Sequence, residues 1–387
     1  MIIGLVTGEY PPIQGGVGDF TREMAKSLAK LGCHVCVVTE RREGEYLDCV
    51  PSQPYEIQRV TSPTWGWRDI WQVQRATAKM ELVNIQYQAA AYGKMRPPLH
   101  FLPRVLKSPS VVTFHDLRAP YLFPKAGMLR QHAILELARG ADGVIATNSE
   151  DFQTLSRTTN LKHLTEIPIG SNIDYAPPLG FDPERWRMSH GVGEDEFLIG
   201  YFGFLNASKG GESVIRALAV LAQDSIPIRL VLIGGSAGTT DPTNVEYDER
   251  IGTLAHSLGV SGHIVRTGFL PPAETSLALL SCHVMVLPYR DGASVRRGSL
   301  MACLNHGLPT ITTHPTSPWT QLEHGVNTYL VSTDSPHAIA AAIKELREDP
   351  DQRTMIGNGA KDLSENFTWH KIAASTLEFF QEVAIRR

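Results

Sequence analysis

The stretch MIIGLVTGEYPPIQGGVGDFTREMAKSLAKLG, residues 1–32, decides the fold class. Ile2, Ile3, Leu5 and Val6 form a short apolar run of the kind buried on both faces of a parallel sheet. Gly15, Gly16 and Gly18 follow, and then Phe20, Met24, Leu28 and Leu31 recur at helical spacing until Gly32 stops the helix, with Asp19 as the expected N-cap. Strand, glycine loop and helix in that order let main-chain N–H groups come close to a phosphate or a sugar, because no Cβ stands in the way. The order Gly-Gly-x-Gly is not G-x-G-x-x-G, which leaves a nicotinamide enzyme as a weak alternative.

Residues 291–309, DGASVRRGSLMACLNHGLP, repeat the device near the other end. A polar, basic loop runs straight into an apolar helix. N–H groups at a helix start have no intrahelical partner and carry the positive end of the helix dipole. Gly298, Ser299 and Leu300 are therefore candidates to hold a phosphate that Arg296 or Arg297 helps neutralise, against the plainer reading of an exposed turn capping a helix.

Between these loops, strand and helix patterns alternate. Strands are expected at 35–39, 82–86, 110–114, 143–146 and 165–168, and a second series at 198–204, 228–234, 264–268, 284–287, 310–313 and 328–331. Residues 174–183, with Pro177, Pro178 and Pro183, break the pattern and read as a linker. The expected architecture is α/β: two Rossmann-like domains, 1–178 and 184–369, with parallel sheets facing each other across a cleft. A ligand belongs beyond the carboxyl ends of the strands in such sheets.

Composition narrows the classes. The 387 residues carry 36 Lys and Arg against 40 Asp and Glu, a net charge of −4, which argues against nucleic acid as a partner. No apolar run reaches the ~18 residues of a membrane span, and no basic region leads into an apolar leader, so a cytoplasmic protein is expected. The cysteines, Cys33, Cys36, Cys49, Cys282 and Cys303, lie mostly in apolar stretches and read as reduced thiols. Cys33 and Cys36 form a lone C-x-x-C entering a strand, which is poor ground for zinc or redox chemistry, and no metal or other cofactor is expected.

Six motifs in register carry a resemblance. They are Glu9-Tyr10-Pro11-Pro12 with Gly15-Gly16-Val17-Gly18, Thr113-Phe114-His115-Asp116, the run from Ile167 to Asp174, the run from Gly203 to Gly210, Thr267-Gly268-Phe269-Leu270, and His306-Gly307-Leu308-Pro309. Phe367-Thr368-Trp369-His370 closes the series. The chain resembles the retaining glycosyltransferases of family 4, with the GT-B fold, over nearly its whole length. The resemblance implies a nucleotide-sugar donor, a UDP-sugar such as UDP-glucose, held mainly by the second domain. It makes Lys209 the phosphate lysine with Asn206 beside it, and places the base on main-chain groups of Phe269 and Leu270. It sets His115 against the sugar, with Asp116 orienting the imidazole or capping the next helix, and turns Gly15 and Gly16 toward the diphosphate or the acceptor. The last helix, about 370–387, would cross back to the first domain. The acceptor would be a glycan or lipid-linked glycan of a surface polysaccharide. Residues 94–107 mix basic and apolar side chains, which suits either peripheral contact with the inner face of a membrane or a helix with a buried apolar side.

Two departures stand out. Phe204 occupies the place of the family's arginine, so Arg296 or Arg297 would have to supply that cation. Ser294 and Ala302 fall where the family carries paired glutamates; Asp291 would then serve as the first acid and the Ser299 hydroxyl would meet the ribose, in a branch marked by the loop RRGSL. A nucleotide-sugar epimerase would instead need paired carboxylates, for which Glu9, Asp116 and Asp291 are the candidates, and a non-catalytic nucleotide-sugar binder would tolerate Phe204, Ser294 and Ala302.

Overall fold

The computed structural model describes residues 1–13, 15–41, 53–92, 97–117, 127–158, 160–234 and 242–385. The chain divides into two compact units, Met1–Gly170 with Trp369–Arg387, and Ser171–Thr368. The division precedes the proline-bearing stretch 174–183, which lies within the second unit.

The first unit is built on seven parallel strands: β1 (Ile2–Thr7), β2 (His34–Glu40), β3 (Glu56–Thr61), β4 (Leu82–Tyr87), β5 (Ser110–Phe114), β6 (Gly143–Ala146) and β7 (Leu164–Glu166), in the order β3-β2-β1-β4-β5-β6-β7. β3 had no counterpart in the sequence reading. It is an edge strand whose residues, EIQRVT, are mostly half-buried, so the apolar periodicity that marks the central strands is missing.

Successive strand residues point to opposite faces, and each face has its own cover. Ile3, Leu5, Val35, Val37, Leu82 and Val111 pack against Phe20, Met24 and Leu28 of the helix Gly16–Lys30 and against Ile372, Phe379 and Phe380 of the helix Trp369–Ile385. Val6, Val38, Val83, Ile85, Val112 and Phe114 form the core of the other face. The helix Gly16–Lys30 ends where Gly32 turns to φ +85° and the Cys33 N–H closes back on the Leu28 carbonyl at 3.1 Å. It begins a turn earlier than expected: Gly15 is the N-cap, while Asp19 sits in the first turn and pairs with Arg22 at 3.0 Å.

The segment read as basic and apolar resolves into two short helices, Pro97–His100 and Leu102–Val105, whose Leu99 and Leu102 are fully buried in the first unit, as is Leu106 just beyond. Lys94, Met95 and Arg96 lie outside the described residues. No helix among the described residues is long and apolar enough to cross a membrane. Cys33, Cys36, Cys282 and Cys303 are free and buried, and Cys49 is outside the described residues.

The second unit has six parallel strands: β8 (Phe197–Phe202), β9 (Ile228–Ile233), β10 (Ile264–Gly268), β11 (Val284–Leu287), β12 (Thr310–Thr313) and β13 (Tyr329–Val331), ordered β10-β9-β8-β11-β12-β13. The chain reverses its direction of travel across the sheet between β8 and β11. Loops leaving the carboxyl ends of these two neighbours therefore emerge side by side, at the switch point where parallel sheets bind ligands.

Candidate active site

In the second unit, residues 203–210 follow β8. Gly203 adopts φ +115° and passes so near Lys209 that an added Cβ would lie 2.7 Å from the Lys209 Nζ and 3.8 Å from the Ser299 Cβ. Asn206 shapes the turn: its Oδ1 accepts from the Lys209 N–H at 3.2 Å and from the Ser208 hydroxyl at 2.9 Å. The Lys209 ammonium lies 5.9 Å from the centre of the Phe204 ring, and no described residue hydrogen-bonds or ion-pairs with it. Burial, reinforced by the charge of Arg297, lowers its pKa to about 8.

The loop after β11 converges on the same place. Asp291, expected as an acid beside the sugar, accepts from Arg296 at 3.0 Å and from Arg297. Arg297 lies over the Tyr289 ring at 4.7 Å, and the Tyr289 hydroxyl shares a 2.7 Å hydrogen bond with Ser299. Of the two arginines, Arg297 is the one whose charge reaches Lys209. The helix Gly298–Asn305 starts with Arg297 as N-cap and no side-chain cap. The Ser294 hydroxyl and the Arg297 Nε are buried without a partner among the described residues. The result is a cationic cluster made of an ammonium, a guanidinium and a helix N-terminus, which suits a multiply charged anion. Phe269 and Leu270 follow the edge strand β10; Phe269 is exposed and the Leu270 carbonyl accepts from the Thr275 hydroxyl at 3.2 Å.

The first unit treats its glycine loop differently. The Glu9 carboxylate folds under the start of the helix Gly16–Lys30, and its Oε1 accepts from Val17 N–H at 2.8 Å and Gly18 N–H at 3.2 Å. Burial raises the Glu9 pKa, against the lowering effect of those two N–H groups. A Cβ on Gly15 would fall 2.2 Å from the Glu9 carboxyl carbon, and one on Gly18 would fall 3.1 Å from the Tyr10 Cα, so these glycines admit the protein's own carboxylate and backbone. Only Gly16 of the three has open space around it.

His115 directly follows β5. Its N–H continues the ladder to the Tyr87 carbonyl at 3.0 Å, its ring meets Phe20 edge-on at 4.6 Å, and its Nε2 bonds Gln86 Oε1 at 2.8 Å. Burial lowers its pKa to about 3, so the imidazole is neutral at pH 7. Asp116 is half-buried beside it. Sequence reasoning missed Gln86 and the capping role of Glu9. The available signal for the first was polar Asn84 and Gln86 at alternate positions of an otherwise apolar strand, LVNIQY.

Residues 15–162 match the family described as Glycosyl transferase 4-like domain, and residues 182–363 match Glycosyl transferases group 1. The chain is a glycosyltransferase of the GT-B type. Among its relatives is an uncharacterised glycosyltransferase of Methanocaldococcus jannaschii, 24% identical over 410 residues covering 98% of each chain. Another is the D-inositol 3-phosphate glycosyltransferase of Corynebacterium jeikeium, 23% identical over 89% of this chain and 74% of the other. A GDP-mannose-dependent alpha-(1-6)-phosphatidylinositol monomannoside mannosyltransferase of Mycobacterium tuberculosis is 21% identical over 97% of each. The glycosyltransferase shares its fold with sucrose-phosphate synthase from Thermosynechococcus elongatus (TM-score 0.79, 19% identity, 100% of both chains). It also shares it with Anabaena HepE in complex with UDP and glucose (TM-score 0.80, 18% identity, 99% of this chain and 100% of that one).

Proposed function

We propose that this glycosyltransferase is a retaining enzyme that moves a hexose from a UDP-sugar such as UDP-glucose to a glycan or lipid-linked acceptor of a surface polysaccharide, in the cytoplasm or at the inner face of the membrane. The observation that carries the donor reading is Lys209, a desolvated ammonium for which no described residue supplies a counter-charge, set beside Arg297 and the start of the helix Gly298–Asn305. A diphosphate gains negative charge as the sugar leaves. Lys209, Arg297 and the N–H groups of Gly298, Ser299 and Leu300 would stabilise that charge, because they are fixed before the reaction begins. The positive charge comes from side chains and helix, so the reaction is read as needing no metal, and turnover in EDTA is the check.

In the proposed step, the bond from the anomeric carbon to the diphosphate breaks while the bond to the acceptor oxygen forms on the same face. The leaving phosphate oxygen takes the acceptor's proton, so no protein base is required, in keeping with a His115 too weakly basic to serve as one. His115 contacts the sugar, and main-chain groups around Phe269 and Leu270 hold the base. The UDP and glucose bound to HepE, a protein of the same fold, favour a UDP-sugar, and the mannosyltransferase relative makes GDP-mannose the comparison donor.

A panel of UDP-, GDP- and ADP-sugars tests the reading by thermal shift and by release of the free nucleotide. UDP-glucose should stabilise the protein and yield UDP slowly even without an acceptor, and a product anomer matching the donor's by NMR would support retention. Interconversion of sugars would mean an epimerase, and binding without release of nucleotide a sugar-nucleotide sensor.

A further inference from the structure

His115 is the outer end of a buried polar chain that crosses the two central strands of the first unit. Asn84 and Gln86 are two residues apart on β4, and Thr113 and His115 are two apart on and just beyond β5. The register Gln86 opposite Thr113 puts all four on the face that carries Leu82 and Val111. Asn84, Gln86 and Thr113 are almost wholly buried, at 1%, 0% and 3% exposure, on a face that is otherwise mostly aliphatic. Buried amides are costly unless their hydrogen bonds are made, so three polar residues at core positions call for a reason beyond packing.

The chain has a direction because one end is anchored on a group that can only accept. The Asn84 amide nitrogen donates to the Val111 main-chain carbonyl at 3.2 Å and to the Thr113 hydroxyl at 2.9 Å. That fixes the Asn84 Oδ1 as acceptor, and the Gln86 amide nitrogen donates to it. Gln86 is left presenting its Oε1 to the His115 Nε2, 2.8 Å away. An oxygen facing that nitrogen requires the hydrogen to sit on Nε2, and a neutral imidazole then carries a bare lone pair on Nδ1. Turning Asn84 over would set oxygen against oxygen at Val111, and turning Gln86 over would set its oxygen against the Asn84 Oδ1.

We propose that Gln86 and Asn84 are positioning residues that hold His115 in a single tautomer, Nε2 protonated, so that its Nδ1 accepts a hydrogen bond from a hydroxyl of the transferred sugar. The sugar contact rests on the transferase reading given above, whereas the tautomer rests on the polar chain alone. The arrangement makes the ring a pure acceptor toward the ligand, selecting a hydroxyl that can donate.

Long-range proton–nitrogen NMR of the protein labelled at histidine nitrogens, with His115 assigned by its loss in His115→Gln, reads the tautomer directly at pH 7.5. The wild type should show His115 wholly as the Nε2-protonated form. Gln86→Glu, which keeps an oxygen facing Nε2, should preserve it, and Gln86→Met, which removes the acceptor, should yield a mixture of both forms. A protonated Nδ1 or a mixture in the wild type would overturn the proposal, as would a tautomer unmoved by Gln86→Met. In the same variants, Gln86→Met should weaken UDP-glucose by about fivefold, the scale of one hydrogen bond, and leave UDP unchanged. Equal weakening of both ligands would assign Gln86 a merely structural role. A preparation with the expected tautomer but no sugar transfer would sink the functional reading and leave the positioning of His115 standing.

Discussion

Each of the two units begins a helix with the same device, and they use it in opposite ways. At Gly16–Lys30 the first-turn N–H groups are taken by the Glu9 carboxylate from within the chain. At Gly298–Asn305 no side chain among the described residues caps the start, and Lys209 and Arg297 stand next to it with positive charge. A glycine-bearing loop before a helix thus marks a place where an anion can sit, without saying whose anion it is. A carboxylate a few residues upstream, folded back under the loop, decides the matter.

The largest expected effect comes from Lys209→Ala, which should weaken UDP binding by about 1.5–3 kcal/mol in calorimetry, as for loss of a charge-assisted hydrogen bond. Unchanged affinity would erase the contrast between the two helix starts. Arg297→Ala should cost about 1–2 kcal/mol and Arg296→Ala less, because only Arg297 reaches Lys209; the reverse ranking would move the cation to the wrong arginine. UDP affinity should also fall as pH rises through about 8. The bound diphosphate favours charged Lys209 and raises its pKa, so the attraction is complete below the free-state value and is lost above it. Lys209→Arg should remove that dependence. The smallest effect on binding belongs to Glu9→Ala: loss of the cap should lower stability by about 1 kcal/mol in chemical denaturation while UDP affinity stays within about twofold. A large gain in affinity would show that the first helix start competes for the diphosphate.

The central strands were legible because a parallel sheet covered on both faces demands apolar runs, and β1, β8 and β11 supply them. β3 was not, since an edge strand needs no such run. The loops of the second unit could be placed from their glycines and basic residues, yet the pairing of Asp291 with both arginines depends on how residues 291–297 fold back on themselves, which spacing does not encode. Glu9 illustrates the same limit: a carboxylate six residues before a glycine looks like a catalytic candidate until the turn between them brings it under the helix. The order of motifs fixed the family, and the division of labour among the charged groups within each motif needed the three-dimensional contacts.

A crystal structure with UDP-glucose bound tests most directly whether the later helix start is the diphosphate site. The expected result has diphosphate oxygens within hydrogen-bonding distance of the Lys209 Nζ and the N–H groups of Gly298, Ser299 and Leu300, with Glu9 still on Val17 and Gly18. A diphosphate seated on the Val17 and Gly18 N–H groups, with Glu9 swung away and Lys209 untouched, would contradict it.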